Sequence, residues 1–484
     1  MPVGRKRWAR SVAGFATLIL CATALGISAA PAGATRPFTR AFADDTFSQP
    51  GWIPRAVHAG AHMVLLDLTW SNVEPNAPAP GTDPTSPSDP QYDFSPVDAA
   101  VRSFAATGIS VAILVSEAPS WAEAPGGPTN LEVDGSWRPS ATAYGQLATA
   151  LAGRYSGSYP DPLNPGSTLP RVRYFQAWAE ANLERHLAPQ WTSTGGSWIP
   201  AGPGIYRSLL NAFYAGIKRA HPDNVVITSG FGPYGDSPGA CNSSQLVGPG
   251  CRIPPAAFVR ELLCLHGRAL TLEACANPAH FDALAIDPYE VSSPTTPAVN
   301  ADDIAAPDLG KLTRILNRAV PLGRALPRGR KQLWVTEFSY ESNPPNPTAV
   351  SLATQARWLE ESFYVFWNER VSTAAWYLIR DEGGTDYANS YYSGIFYFNG
   401  TPKPSFQAYR FPLVVMPSGH SAIVWGMAPL TGRVAVQLQH GSSWKTLFAT
   451  TVAAGSVFER KISAKLRGNF RASVGGESSL VWKR

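Results

Sequence analysis

Two glutamates sit where a fold has no need of them. In "RVRYFQAWAEANLERH", which begins at Arg171, a strand-like run rich in Tyr, Phe and Trp stops two residues before Glu180. In "KQLWVTEFSYES" the run Leu333-Trp334-Val335 stops two residues before Glu337. Strands favour β-branched and aromatic residues because these fill a pleated, half-buried surface, and glutamate adds nothing to that packing. Two carboxylates held at the ends of buried strands can divide acid–base work. One holds a proton to donate, the other is ionised to attack, and each charge opposes ionisation of the other. A solvated loop charge is the competing reading for either residue alone. Ser-His-Asp chemistry fits poorly, since no Gly-x-Ser-x-Gly elbow occurs.

The elements that must position these groups are eight apolar runs, at 38–42, 62–68, 109–115, 172–178, 224–228, 281–286, 332–335 and 373–378. Most are short and continuously apolar, as expected of strands buried on both faces. Helical patterns follow them at 50–60, 97–107, 143–154, 205–220, 254–265, 309–320, 354–370 and 405–411. Eight strand–helix repeats predict an α/β fold, a (β/α)8 TIM barrel over 35–412. A doubly wound open sheet is the alternative, and it lacks a Gly-rich nucleotide turn. Glu180 then follows the fourth strand and Glu337 closes the seventh, on the face where loops after strands build sites. Across such a mouth two carboxyls can stand about 5–5.5 Å apart, the separation used for double displacement at a glycosidic carbon. Long Pro-, Gly- and Ser-rich inserts follow strands two to five. That after strand four carries Trp191 and Trp198, candidates for stacking on the apolar faces of sugars. From 413 to 484 short alternating runs predict a small all-β sandwich domain.

Residues 1–34 read as a cleaved export signal: a basic start, an apolar stretch from Val12 to Ala30, and an Ala-Gly-Ala end. The stretch is also near the length of a membrane span, so a retained anchor is the competing reading. These residues hold four cations (Arg5, Lys6, Arg7, Arg10) and no anion, and so account for four of the formal net charge of +5. The remainder is nearly neutral, which argues against a nucleic-acid partner, and no membrane partner is expected after signal cleavage. Beyond Cys21 lie Cys241, Cys251, Cys264 and Cys275, an even number that predicts disulfides in an exported chain. Three pairings are possible; short loops favour Cys241–Cys251 and Cys264–Cys275, each closure contributing about 2–3 kcal/mol. Their spacing from the histidines fits no zinc pattern, so no metal is expected.

The endings Trp178-x-Glu180-x-Asn182 and Trp334-Val-Thr-Glu337 resemble glycoside hydrolase clan A, the "4/7" barrels, with families 5 and 39 closest. "DLTWSNVEP", "AIDPY" and "GIFYFNGTPKPSFQAYRF" extend the resemblance over about Phe38 to Phe411. The resemblance implies a secreted retaining O-glycoside hydrolase acting on an extracellular glycan without a cofactor. Glu180 would be the acid/base and Glu337 the nucleophile. Tyr289 matches a tyrosine bonded to the nucleophile, Trp376 a sugar floor and Trp70 a wall aromatic. Asn182, Asp287 and Asp67 join them as substrate contacts. This chain departs from the pattern at Ala179, where the clan has an asparagine for the sugar 2-hydroxyl. It also lacks the usual strand-two arginine, and Asp287 replaces a histidine. Asp67, Glu117, Asp287 or His186 would supply substitute contacts. The departures motivate a second reading, a carbohydrate-binding barrel that has lost hydrolysis, and a transglycosylase using the same pair is a third.

Overall fold

The computed structural model describes residues 35–49, 51–129, 131, 133–237, 251–289, 292–387 and 389–484. The expected signal at 1–34 and Cys241 lie outside the described residues.

Eight parallel strands close into a barrel in the order β1-β8-β7-β6-β5-β4-β3-β2. They are β1 (Thr39–Ala43), β2 (Met63–Thr69), β3 (Ser110–Ser116), β4 (Tyr174–Ala177), β5 (Val225–Phe231), β6 (Ala283–Ile286), β7 (Gln332–Phe338) and β8 (Thr373–Trp376). A helix follows each: α1 (Ile53–Ala59), α2 (Ser95–Ala105), α3 (Ala141–Arg154), α4 (Gly202–Ala220), α5 (Pro255–Leu262), α6 (Gly310–Ala319), α7 (Leu352–Asn368) and α8 (Pro404–Arg410). Their starts carry identifiable signals. Ser140 and Ser351 cap α3 and α7 through their hydroxyls, and proline occupies the first turn of α1, α2, α4, α5 and α8.

Alternation along each strand sorts side chains into two layers. Ala41, Ala43, Met63, Leu65, Ala112, Ile227, Ala285 and Ala375 point inward around Trp334, which packs on Tyr174 at 5.6 Å between ring centroids. Small residues leave room in the lumen for that one indole. The alternate residues, among them Phe42, Val64, Ile113, Phe175, Val226, Leu284, Val335 and Trp376, pack outward against the helices.

After α8 come two antiparallel sheets. One joins β9 (Leu413–Ser418), β10 (Ser421–Met427) and β13 (Val457–Ser463). The other joins β11 (Gly432–His440), β12 (Ser443–Val452) and β14 (Asn469–Val474), with two short terminal strands beside β14. Trp425 of β10 is buried against Phe38, Tyr364 and Trp367, and Arg410 of α8 holds Glu477 through two hydrogen bonds of 2.6 and 2.8 Å. Residues 35–484 form one compact unit with a continuous core.

The insert after β4, expected to be loop, contains a hairpin of Trp191–Thr194 with Ser197–Pro200. Trp191 is buried in the core and Trp198 packs partly against it. The expected Cys264–Cys275 disulfide is present, and Cys251 is also disulfide-bonded. Among the described residues no helix is long and apolar enough to cross a membrane. Cys264 follows α5 and its partner lies beyond a two-stranded turn of Leu265–His266 with Thr271–Leu272, remote in sequence from Glu180 and Glu337. Replacing both with serine is expected to lower the unfolding free energy by about 2–3 kcal/mol, from the unfolded chain's regained freedom. Urea denaturation of the two proteins side by side measures this.

Candidate active site

Glu337 occupies the sixth position of β7. The ladder between β6 and β7 ends at the pair Ile286 and Val335. Beyond it a side chain takes over: Asp287 Oδ1 accepts the Glu337 backbone N–H (2.8 Å) and the Thr336 hydroxyl (2.6 Å). Gly230 of β5 makes the space for this carboxyl, since a Cβ there would lie 2.0 Å from Asp287 Oδ2 and 2.3 Å from Thr336 Oγ1. The Glu337 side chain receives a hydrogen bond from the Tyr289 hydroxyl, 2.7 Å to Oε2.

Glu180 is reached differently. β4 stops at Ala177 because Trp178 takes a φ of 74° and Glu180 a φ of 31°, left-handed values that cost about 1–3 kcal/mol each without glycine. Surrounding bonds hold the turn. Trp178 N–H donates to Val115 O (3.0 Å) and Tyr144 Oη (3.1 Å), its indole donates to His186 O (2.8 Å), and Ala181 N–H donates to Ser229 Oγ (2.8 Å). The chain then returns so that His186 Nε2 lies 3.3 Å from Glu180 Oε2.

Both glutamates act on the same neighbours. Burial raises the Asp287 pKa well above the usual carboxylate value, and the charges of Glu337 and then Glu180 raise it further. Burial and the same two charges raise Tyr391. Tyr289 and Tyr377 are also raised, by burial first and Glu337 second. Tyr377 stands edge-on to Tyr391 (5.1 Å) and to Tyr289 (6.3 Å), so three tyrosines line one side of the mouth. Beside them a cavity of about 400 Å3 runs under the loop after β7, lined by Tyr234, Tyr289, Tyr340, Trp358 and Tyr391 with Glu341 and Asn346. The loop bearing Tyr391 is pinned by a buried ion pair, Lys403 Nζ to Asp381 Oδ1 at 2.5 Å, although burial still lifts the Asp381 pKa to about 6.

The structure therefore gathers Glu180, Glu337, Asp287 and Tyr289. Asp67 joins them on an inward position of β2, exposed, with its charge acting on Tyr377. Three expected contacts are elsewhere. Trp376 faces outward, fully buried against Phe338 and Tyr340, with its indole N–H on Ser393 O; the inward position of this strand end is Tyr377. Trp70 is fully buried against Trp121 and Tyr144, and its indole donates to Glu74 Oε2 (2.7 Å). Asn182 is fully buried, donating to Gly232 O and Ile253 O (both 3.0 Å) and accepting from Gly232 N–H (2.8 Å). Tyr377, Tyr391 and the pairing of His186 were missed. Two adjacent alanines, Ala374 and Ala375, leave the count of inward positions along 373–378 without a starting point, and the other two depend on loop paths without local pattern.

The architecture is that of a parallel eight-stranded barrel with two carboxylates at its mouth. No family model and no curated protein sequence matches the chain. Solved structures do. A family 39 glycoside hydrolase from the gut symbiont Bacteroides cellulosilyticus WH2 is similar at 17% identity and a TM-score of 0.54, over 88% of this chain and 81% of that one. A GH39 beta-xylosidase from Caulobacter crescentus is similar at 14% identity and a TM-score of 0.51, over 90% and 98%. The GH39 enzyme from Xanthomonas axonopodis pv. citri is similar at 13% identity and a TM-score of 0.50, over 89% and 93%. At these identities the likeness is one of fold.

Asp287 makes stability pH-dependent with a definite sign. An unfolded aspartate ionises near pH 3.9. The folded one keeps its proton to higher pH, so between these values the native state binds the extra proton and stability falls as pH rises. Asp287→Asn keeps an acceptor for both donors and removes the titration. Its unfolding free energy should fall less steeply above about pH 4, by up to about 1.4 kcal/mol per pH unit. Urea denaturation at several pH values compares the slopes.

Proposed function

We propose that the chain is a retaining O-glycoside hydrolase, exported from the cell and acting on an extracellular glycan. The observation that carries this reading is the pair itself. Glu337 is aimed by Tyr289 and by the Asp287 bond to its own backbone, while Glu180 stands beside His186 on the loop after β4. The barrel shared with family 39 structures supports the same class.

In the first step Glu337 attacks the anomeric carbon while Glu180 gives its proton to the departing oxygen. The glycosidic C–O bond breaks and a glycosyl ester forms on Glu337. In the second step Glu180 takes a proton from water, whose oxygen attacks the same carbon and releases Glu337. This exchange needs no cofactor. Tyr289 steadies the nucleophile's orientation and releases its hold as charge leaves the carboxylate. Tyr377 and Tyr391 offer ring faces and hydroxyls to a sugar, the pairing of apolar and polar surface that carbohydrate requires. Ala179 cannot bond a 2-hydroxyl, so Asp67, exposed on the inward side of β2, is the candidate polar contact.

Glu337→Gln should fold normally and lose at least about 10³-fold in turnover on any accepted aryl glycoside, since the covalent route is closed. A 2-fluoro glycosyl fluoride should label Glu337 in the parent protein, read by peptide mass. Undiminished turnover in the variant would overturn the assignment. Sugar binding without turnover in the parent, across a broad glycoside panel, would point to a binding barrel instead.

A further inference from the structure

A second cavity lies at the other end of the barrel. It measures about 730 Å3 and opens among the residues that lead into β1, β7 and β8, beneath the C-terminal half of α6. Four of its lining side chains are cationic, namely Arg36, Arg330, Lys331 and Arg370, and none is acidic. Two of the four are held by neutral groups. Arg36 donates to Val371 O (2.9 Å) and lies 5.0 Å from the centre of the Trp367 ring. Lys331 donates to Phe281 O (2.5 Å) and Pro327 O (2.7 Å). Arg330 and Arg370 are exposed, and among the described residues neither makes an ion pair within 4 Å. The two carboxylates of the neighbouring hollow are already matched, Asp282 by Lys218 at 2.8 Å and Asp223 by Arg171 at 2.7 Å.

Like charges gathered around a hollow repel one another, and the strain shows in Arg36. Burial lowers its pKa, and the charges of Arg370 and Arg330 lower it further. A bound anion would relieve that repulsion, and guanidinium groups pair with oxyanions in two-pronged geometry. The rest of the lining suits more than a bare ion. Thr313, Asn317 and Ser372 offer hydroxyl and amide groups, while Leu316, Val320 and Pro321 form an apolar side. The volume falls within the range of small-molecule sites. Acidic residues instead mark the mouth, where Asp67, Glu117, Glu180 and Glu337 lie on or after the strand ends, with Arg185 near Tyr391.

We propose that this basal cavity binds an anionic saccharide, one carrying carboxylate, sulfate or phosphate groups, as a tether distinct from the barrel mouth. Arg330 and Arg370 grip the oxyanions, Arg36 and Lys331 supply the surrounding field, and the α6 side takes the sugar frame. The tether does not depend on the hydrolase reading, because binding is measured without turnover.

The test is calorimetry on the whole protein at low and moderate salt. The probes are trigalacturonate, glucose 1,6-bisphosphate, inorganic sulfate and neutral maltotriose. Support is saturable, salt-weakened binding of trigalacturonate or the bisphosphate, at least about tenfold weaker in Arg330→Gln/Arg370→Gln. Which of the two binds tells carboxylate from phosphate. Both arginines are exposed, so the double variant should melt as the parent does. The proposal is overturned if neither anionic saccharide binds, if the double variant binds as well as the parent, or if inorganic sulfate or maltotriose binds as tightly as the anionic sugars.

Discussion

The Asp287 carboxyl is the constraint on which the mouth depends. Past Ile286 and Val335 the backbone ladder between β6 and β7 has ended, and β7 also shifts register against β8. Without a substitute, the N–H of Glu337 would be buried and unpaired at the point where its side chain must be aimed. Asp287 supplies the missing acceptor, and it takes the Thr336 hydroxyl with the same oxygen. The arrangement is demanding. It places a third carboxyl among Glu337 and Glu180 in a poorly solvated site, where ionisation is opposed by burial and by like charge. It also excludes any side chain from Gly230. One buried acid thus ties the geometry of Glu337 to the stability of the strand pair that carries it.

Much of this was legible in the sequence, and for a physical reason. Parallel strands buried on both faces are apolar without interruption, so a glutamate at the end of such a run stands out. Eight such runs separated by helical periodicity suffice for the barrel. The same continuity hides which way each side chain points. In "TAAWYL" nothing alternates, so Trp376 reads as well as Tyr377 for an inward aromatic, yet only Tyr377 faces the mouth. Trp70 carried a readable signal, Glu74 one helical turn on, an acceptor that ties its indole into the outer layer. Asn182 reads as a ligand because it neighbours Glu180, but its amide is consumed by three backbone groups from distant segments. His186 meets Glu180 only because the intervening turn doubles back, and spacing alone does not encode that.

The C-terminal sheets bear on the site indirectly. Trp425 and the Arg410–Glu477 pair fasten them to α7 and α8, the two helices that follow β7 and β8. Glu360 of α7 accepts the N–H of Leu413 at the first residue of β9, a buried carboxyl in the same core. The flank of the barrel that carries Glu337 and the tyrosine wall is therefore backed by a second layer of packing.

Asn182 has a consequence for how such a chain could vary. Its side chain fastens the turn bearing Glu180 to Gly232, after β5, and to Ile253, which lies two residues from the disulfide-bonded Cys251. Loops of a barrel are commonly treated as separate modules, each free to lengthen or be exchanged while its strand stays put. Here two of them share one rivet. An insertion or graft in the segment after β5 would be transmitted to the turn that bears Glu180, so the heritable unit of change at this mouth is the pair of loops rather than either one.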